Sequence, residues 1–176
     1  MVGIPIRESQ LVLTHMSSRV VVRGMKPRKI IPPKLWEEIL TSVPITCVDV
    51  IVYKTVNRKR RVLLGFRVIP PYHDCWALPG GRMIKGESLR DTANRQLQEI
   101  GLRPTGKYDL VGVYPVNFKQ RSDITISLST QLRSQEEPRP TREMARYAWR
   151  SLGSLPSRLG SNYRRMLRDF ENAHFR

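Results

Sequence analysis

The sequence predicts an α/β fold in which a mixed β-sheet is packed between helices. Short apolar segments typical of strands recur between residues 45 and 149, separated by polar and turn residues. Two amphipathic helical segments accompany them, one in the middle of the chain and one near its C-terminal end. With 176 residues and no internal repeat, the chain is expected to form one domain with an appendage.

The first 33 residues are predicted to form a basic N-terminal extension, and residues 34–176 the domain. Two Val-rich pieces, residues 11–13 and 20–22, are interrupted by charged and small residues and are too short to form a core. They either pair as an edge hairpin or stay mobile, and the sequence does not decide between these alternatives.

The predicted elements follow in order along the domain. A short helix over residues 34–40 directs Leu35, Trp36 and Ile39 inward. Strands are predicted over residues 45–53, 61–68, 108–114, 124–132 and 146–149. The basic run 57–61 lies between the first two strands and is interpreted as a solvated hairpin turn.

Two longer helices are predicted to cover the sheet. The first begins near Ser88 and places Leu89, Ala93, Leu97 and Ile100 on one apolar side. The second is predicted over residues 157–175, with its apolar side formed by Leu159, Tyr163, Met166, Leu167 and Phe170.

Composition narrows the class of partner. The chain has 31 basic and 15 acidic residues, a formal net charge of +16, which favours polyanionic ligands such as nucleotides, RNA or anionic lipid. Two cysteines give neither a disulfide framework nor a metal-binding pair, and no apolar run reaches transmembrane length. We expect a cytoplasmic protein without a membrane partner. Homodimer formation and nucleic-acid binding are left open.

A glycine loop before the first long helix is the strongest chemical signal. Gly80 and Gly81 allow the backbone to approach a phosphate or a metal ion closely, and Glu87 suits the positive end of the helix that follows. Within that helix, Asp91, Arg95 and Glu99 recur every fourth residue as a polar stripe that could hold Mg²⁺ or Mn²⁺. Periodicity alone favours an ordinary amphipathic helix with a solvated charged face over such a metal-binding stripe.

The order of these residues resembles the Nudix box of hydrolases that act on nucleoside diphosphates linked to another group. The spacings from Gly81 to Glu87 and from Glu87 to Arg95 are those of the box. The resemblance implies the family's α/β/α sandwich with a mixed sheet. Beyond Arg95 the segment is one residue short, and two box glutamates are replaced by Gln96 and Ile100.

Further matches make the sequence most similar to the GDP-mannose mannosyl hydrolase branch of the family. They are Val48-Asp49-Val50-Ile51-Val52, Leu63-Leu64-Gly65-Phe66-Arg67, Pro79-Gly80-Gly81-Arg82, Glu99-Ile100-Gly101-Leu102 and Tyr147-Ala148-Trp149. The resemblance covers residue 35 to roughly the C-terminus. It implies a nucleoside diphosphate sugar as substrate and Mg²⁺ or Mn²⁺ as cofactor.

The resemblance also implies roles for individual residues. Asp49 and Arg67 would contact the nucleotide or its diphosphate, and Arg82 would stabilise the negative charge on the departing diphosphate. The Gly80 carbonyl and the Glu99 carboxylate would bind the metal ion. The resemblance further implies that Glu87 pairs with Arg95 and so holds the loop against the helix.

One departure concerns the general base. Where the branch has a metal-binding glutamine followed by a histidine base, this chain has Glu143-Met144. Methionine cannot accept a proton, so we expect Glu143 to bind the metal, to act as the base, or both. His73 is the histidine nearest to the glycine loop in the sequence and is the alternative base.

Two functions from different classes follow. The first is a metal-dependent hydrolase in which water attacks either a sugar carbon or a phosphorus atom. The second is a non-catalytic module that keeps the fold and binds a nucleotide or RNA through its positive charge.

Overall fold

In the part of the chain that the structure describes, seven strands form one mixed sheet with helices on both faces. The structure is a computed structural model, and it describes residues 31–103, 106–132, 135–160 and 162–173. The elements are α1 (Pro33–Ser42), β1 (Ile45–Val56), β2 (Lys59–Arg67), β3 (Cys75–Ala77), β4 (Gly80–Arg82), α2 (Leu89–Glu99), β5 (Asp109–Asn117), β6 (Ser122–Gln131), β7 (Met144–Ser151) and α3 (Tyr163–Ala173). The two Val-rich pieces of the extension lie outside the described residues.

The sheet order places β1 at the centre. The path runs β3-β2-β1-β6-β5, while β4 pairs with β1 and β7 pairs with β2. β1 and β6 are parallel, and the other pairings are antiparallel, so the sheet is mixed as predicted. The parallel pair needs a long crossover, and the chain between β1 and β6 supplies it with β2, β3, β4, α2 and β5.

The basic run after β1 forms the predicted hairpin turn. Asn57 and Arg58 both have positive φ, at 50° and 61°, which is the conformation of a two-residue turn matching the twist of the strands. Tyr53 pairs with Val62 and Val56 with Lys59 across it. Arg58, Lys59 and Arg61 are exposed, whereas Arg60 is half-buried, with its guanidinium over the Tyr53 and Phe170 rings.

Alternation along β1 sends side chains into two cores. Val48, Val50 and Val52 pack with Ala93 and Leu97 of α2. On the opposite face, Ile51 packs in a second core that also holds Tyr163, Met166, Leu167 and Phe170 of α3. The sheet is therefore enclosed between α2 and α3, and this arrangement is the predicted sandwich.

Two details of the helices differ from the sequence prediction. Leu35 of α1 is 47% exposed and does not face a core. α3 begins at Tyr163, not at Ser157, because Leu159 forms an isolated bridge with Trp76 and Gly160 donates its backbone N–H to the Trp76 carbonyl. The tertiary contact with β3 therefore holds the chain extended where helical periodicity alone predicted a helix.

Candidate active site

The glycine loop is fixed by its pairing with the central strand. β4 lies antiparallel to β1, with Gly80 opposite Asp49 and Gly81 opposite Val48. A Cβ atom on Gly80 would lie 2.0 Å from Asp49 Oδ1 and 2.7 Å from the Val48 carbonyl oxygen. Glycine is therefore required at position 80 by close approach between strands.

Helix α2 starts from a capping box that directs its polar side toward the loop. Ser88 Oγ accepts from the Asp91 backbone N–H at 3.1 Å, and Asp91 Oδ2 accepts from the Ser88 backbone N–H at 3.0 Å. Asp91 is thus occupied by the cap, so it takes no part in the metal-binding stripe suggested by its spacing. The helix ends after Glu99, and Gly101 has the left-handed φ of 82° typical of a helix end.

Glu87 and Arg95 form the predicted pair, and the structure confirms it. Arg95 Nε donates to Glu87 Oε1 at 2.7 Å and Nη2 donates to Oε2 at 2.8 Å, with both side chains 10% exposed. Thr92 Oγ1 and the Ile84 backbone N–H also donate to Glu87 Oε2. These hydrogen bonds, those from Arg95 first, lower the pKa of Glu87 to about 2.

Arg95 also joins the loop to the helix through Gln96. Arg95 Nη2 donates to the Arg82 carbonyl at 2.9 Å. With the Gln96 amide oriented to satisfy its neighbours, its nitrogen donates to the Gly80 carbonyl at 2.8 Å and its oxygen accepts from Arg95 Nη1 at 2.6 Å. Gln96, at the position of a lost box glutamate, therefore holds the carbonyl that was predicted to bind metal.

Asp49 is a buried carboxyl beside the loop. It is 8% exposed, and burial raises its pKa to about 7, although the nearby Arg67 guanidinium opposes the shift and Asp123 adds to it. The same Asp49 charge contributes to raising the pKa of the Tyr163 phenol, for which burial is the main cause. The Arg67 guanidinium is therefore close enough to act on the Asp49 carboxyl, and the contact of both residues with a nucleotide stays a prediction.

Arg67 and Glu143 form an ion pair at the ends of β2 and β7. Arg67 Nη1 lies 3.0 Å from Glu143 Oε2, and the other guanidinium nitrogens donate to the Ile69 and Pro70 carbonyls, each at 3.1 Å. The Arg67 side chain is 16% exposed, whereas that of Glu143 is 52% exposed. A solvent-accessible carboxylate is thus held beside a fixed cation.

The Tyr147 phenol senses the charges of both carboxylates that were predicted to bind metal. Burial raises the pKa of the Tyr147 phenol to about 12, and both Glu143 and Glu99 add to the increase, so both charges lie near this ring. Met144 instead packs in the core, 5% exposed. A hydrophobic contact therefore occupies the position at which the resemblance implied a histidine base.

Arg82 stacks on an aromatic ring. Its guanidinium carbon lies 4.5 Å from the centre of the Trp36 ring of α1, which is a cation–π contact. The side chain is exposed and remains accessible to a ligand. Trp36 was predicted to be a core residue, and the aromatic partner of Arg82 was missed because periodicity does not report contacts between distant elements.

Buried polar side chains of β6 lie on the same side of the sheet as Asp49. Asp49 is opposite Ser127 in the parallel register, and Asp123, Ser127 and Ser129 alternate on that face. Ser127 and Ser129 are fully buried, and among the described residues their hydroxyl oxygens have no hydrogen-bond partner. Unpartnered buried hydroxyls are uncommon in protein cores, so this face of the sheet is unusually polar for a buried one.

The residues predicted to bind metal do not form a ready site. Within the described part of the chain, no three His, Cys, Asp or Glu side chains are grouped closely enough to hold a metal ion. The Gly80 carbonyl accepts from Gln96, Glu143 pairs with Arg67, and Glu99 lies 3.7 Å from Arg95 Nη1. These residues do not fit a preassembled cation site, and their assignment as metal ligands stays a prediction.

His73, the alternative base, lies in the loop before β3. Its Nδ1 is 3.0 Å from Asp74 Oδ2, and its side chain is 58% exposed.

No described helix is long and apolar enough to cross a membrane.

Comparison with known proteins identifies relatives of the chain. Residues 46–170 match the model of the NUDIX domain family. Over 81 residues the chain is 38% identical to the low-salt glycan biosynthesis protein Agl8 of Haloferax volcanii, which covers 46% of this chain and 49% of that protein. The chain thus matches about half the length of this relative.

Solved structures share the fold at low sequence identity. The NUDIX domain of Shewanella oneidensis NrtR, complexed with ADP ribose, has a TM-score of 0.67 and 19% identity, covering 82% of this chain and 94% of that one. A MutT NUDIX hydrolase from Burkholderia pseudomallei gives 0.64 and 22%, with 73% and 98% covered. The Ap4A hydrolase of C. elegans gives 0.63 and 16%, with 74% and 97% covered. The predicted sandwich fold is confirmed.

Proposed function

Because the chain belongs to the Nudix hydrolase family, we propose that it hydrolyses a nucleoside diphosphate linked to a sugar, of the GDP-mannose kind. The observation that carries this proposal is the Arg67–Glu143 ion pair beside the buried Asp49. These residues combine a cation that can bind phosphate (Arg67), a carboxylate exposed to water (Glu143) and a buried carboxyl group (Asp49). The similarity to a glycan biosynthesis protein supports a sugar-linked substrate.

The charged side chains have separate roles in this proposal. Arg67 binds the diphosphate and Asp49 contacts the nucleotide or diphosphate. Arg82, steadied by Trp36, stabilises charge on the leaving group. Glu143 accepts a proton from water, whose oxygen attacks the substrate. Attack at the sugar carbon releases free sugar and a nucleoside diphosphate, whereas attack at phosphorus releases a nucleoside monophosphate and a sugar phosphate.

The sequence predicts Gly80, Glu99 and Glu143 as ligands of Mg²⁺ or Mn²⁺, but the described residues do not form a preassembled site for either ion. The proposed roles of Arg67, Arg82 and Glu143 therefore do not depend on a bound cation, and the experiment compares activity with and without divalent ions.

The test is a panel of nucleoside diphosphate sugars incubated with the protein, with EDTA, Mg²⁺ or Mn²⁺. Products are separated by ion-exchange chromatography, which distinguishes nucleoside diphosphate from monophosphate. Formation of either product set from one sugar nucleotide, lost in Arg67→Ala, supports the proposal. Absence of turnover across the panel, with a folded protein by circular dichroism, contradicts it.

A specific observation favours a second candidate, the non-catalytic binding module. The Gln96 amide fills the position of a box glutamate and satisfies the Gly80 carbonyl without a cation. Such a module would bind a nucleotide or RNA through the +16 charge and release it unchanged. Saturable nucleotide binding without any product in the same panel would favour this candidate. A cytoplasmic location and the oligomeric state stay predictions.

A further inference from the structure

The glycine loop contacts helix α2 through a side-chain amide. Gln96 donates to the Gly80 carbonyl at 2.8 Å, and its own oxygen accepts from Arg95 at 2.6 Å. We propose that this amide takes the place of a divalent cation at the Gly80 carbonyl, so that the loop is held against the helix without a metal ion.

The orientation of the amide follows from its neighbours. A guanidinium carries donors only, so the amide oxygen must face Arg95 and the NH₂ group must face the carbonyl. Arg95 is in turn held by two hydrogen bonds to Glu87 and one to the Arg82 carbonyl, which fixes the position of its remaining nitrogen. The hydrogen bonds that join Glu87, Arg95 and Gln96 therefore direct the Gln96 amide N–H toward the Gly80 carbonyl in one defined orientation.

The local packing brings the amide directly onto the loop. A Cβ atom on Gly81 would lie between 2.6 and 3.1 Å from the atoms of the Gln96 amide group, so amide and backbone are closely packed. Mg²⁺ prefers octahedral oxygen coordination at about 2.0–2.1 Å and usually retains several waters. A contact between an amide and a backbone leaves no room for such a hydrated ion between them.

The carboxylates near the Gly80 carbonyl interact with Arg95, so they attract a divalent cation only weakly. Both Glu87 oxygens accept from Arg95, and Glu99 lies 3.7 Å from the same guanidinium. The described residues contain no group of three acidic, cysteine or histidine side chains that would hold an ion. The local balance of charge is therefore met by Arg95.

Replacing the NH₂ group of Gln96 by an oxygen, in Gln96→Glu, tests whether the amide takes the place of a cation. Glutamate has nearly the same shape as glutamine, but it would place a carboxylate oxygen opposite the Gly80 carbonyl oxygen. Two acceptors at that distance repel each other unless a cation or a proton lies between them. Gln96→Glu should therefore create a need for a cation that the natural chain lacks.

The experiment measures Mn²⁺ binding to the full chain by electron paramagnetic resonance, without any substrate. Gln98→Glu is the matched control, since it makes the same change at an exposed position of the same helix. We expect Gln96→Glu to bind Mn²⁺ at least about tenfold more tightly than the natural chain, and Gln98→Glu to match the natural chain. Equal Mn²⁺ affinity in all three proteins, or tight binding already in the natural chain, would overturn the proposal.

A second measurement needs no variant that must fold. In the nuclear magnetic resonance spectrum of the natural chain, the Gln96 side-chain NH₂ protons should be protected from exchange and unchanged by added Mg²⁺. Loss of that protection on adding Mg²⁺ would show that a cation displaces the amide and would contradict the proposal. Because neither measurement uses a nucleotide, its outcome is separate from that of the hydrolysis assay.

Discussion

Arg95 is the centre of the hydrogen-bond network that joins the glycine loop to helix α2. Its guanidinium binds Glu87 in two places, the Arg82 carbonyl and the Gln96 amide oxygen, and it faces Glu99. A lysine has one point charge and could not satisfy these partners in one plane. The guanidinium therefore sets the distance between the glycine loop and helix α2.

The Glu87 carboxylate should make acid stability depend on this pair. Its pKa in the folded protein is about 2 against an ordinary value of 4.5, so its stabilisation is complete above about pH 4.5 and is lost as the pH falls toward 2. Glu87→Gln should cost about 3 kcal/mol at neutral pH, because it leaves Arg95 without its main partner. Urea unfolding from pH 2 to pH 7 measures the difference.

The control for this prediction is Glu38→Gln on the exposed side of α1. Its unfolding free energy should follow that of the natural chain at every pH. If Glu87→Gln and the natural chain differed by the same amount at pH 2 and at pH 7, the carboxylate charge would not be the cause.

Glu143 should be required for turnover more than for binding. Glu143→Gln removes the proton acceptor and is expected to reduce kcat by about 10² or more, the usual contribution of a general base, with little change in nucleotide affinity. Steady-state kinetics and fluorescence titration measure the two quantities. His73→Ala should leave both unchanged, since His73 pairs with Asp74 in an exposed loop. If His73→Ala abolishes turnover and Glu143→Gln does not, the base has been misassigned.

At the scale of elements, local pattern predicts the five long strands, but it misses the short strand β4 and the start of α3. The β1–β2 hairpin follows from two apolar runs around Asn57 and Arg58, and the structure forms it. The start of α3 could not be predicted, because the bridge between Leu159 and Trp76 joins residues 83 positions apart. Periodicity describes one element at a time, whereas such a boundary is decided by contact with another.

The close pairing of β1 with β4 predicts that a larger residue than glycine at position 80 is destabilising. Gly80→Ala would place a Cβ atom 2.0 Å from Asp49 Oδ1 and 2.7 Å from a backbone oxygen, so the strands must separate. We expect a loss of about 1–3 kcal/mol in unfolding free energy together with weaker nucleotide binding. Gly153→Ala, where an added Cβ meets nothing within 4 Å, is the control and should be neutral. Equal stability of the two variants would show that the loop yields without cost.

At the scale of the whole molecule, the sequence leads to the family but not to the completed site. Gly80, Glu87 and Arg95 could be predicted from spacing, since the box is a local motif. The role of Gln96 could not be predicted, because its substitution reads as a loss until the hydrogen bond to Gly80 is seen. Likewise, the pairing of Arg67 with Glu143 depends on β2 and β7 lying side by side, although 76 positions separate the residues.

The N-terminal extension is predicted to be dispensable for catalysis. The family match covers residues 46–170, and the residues from Pro33 onward form one compact unit. The first 30 residues carry six basic residues and one acidic residue, so a chain beginning at Ile31 retains a formal net charge of +11 from the original +16. Every residue proposed for the site lies in the retained part. We therefore expect unchanged kcat and nucleotide affinity in the truncated chain, with weaker retention on a polyanion column at low salt because fewer charges contact it. Loss of turnover in a truncated protein whose circular dichroism spectrum is native would show that the extension contributes to the site.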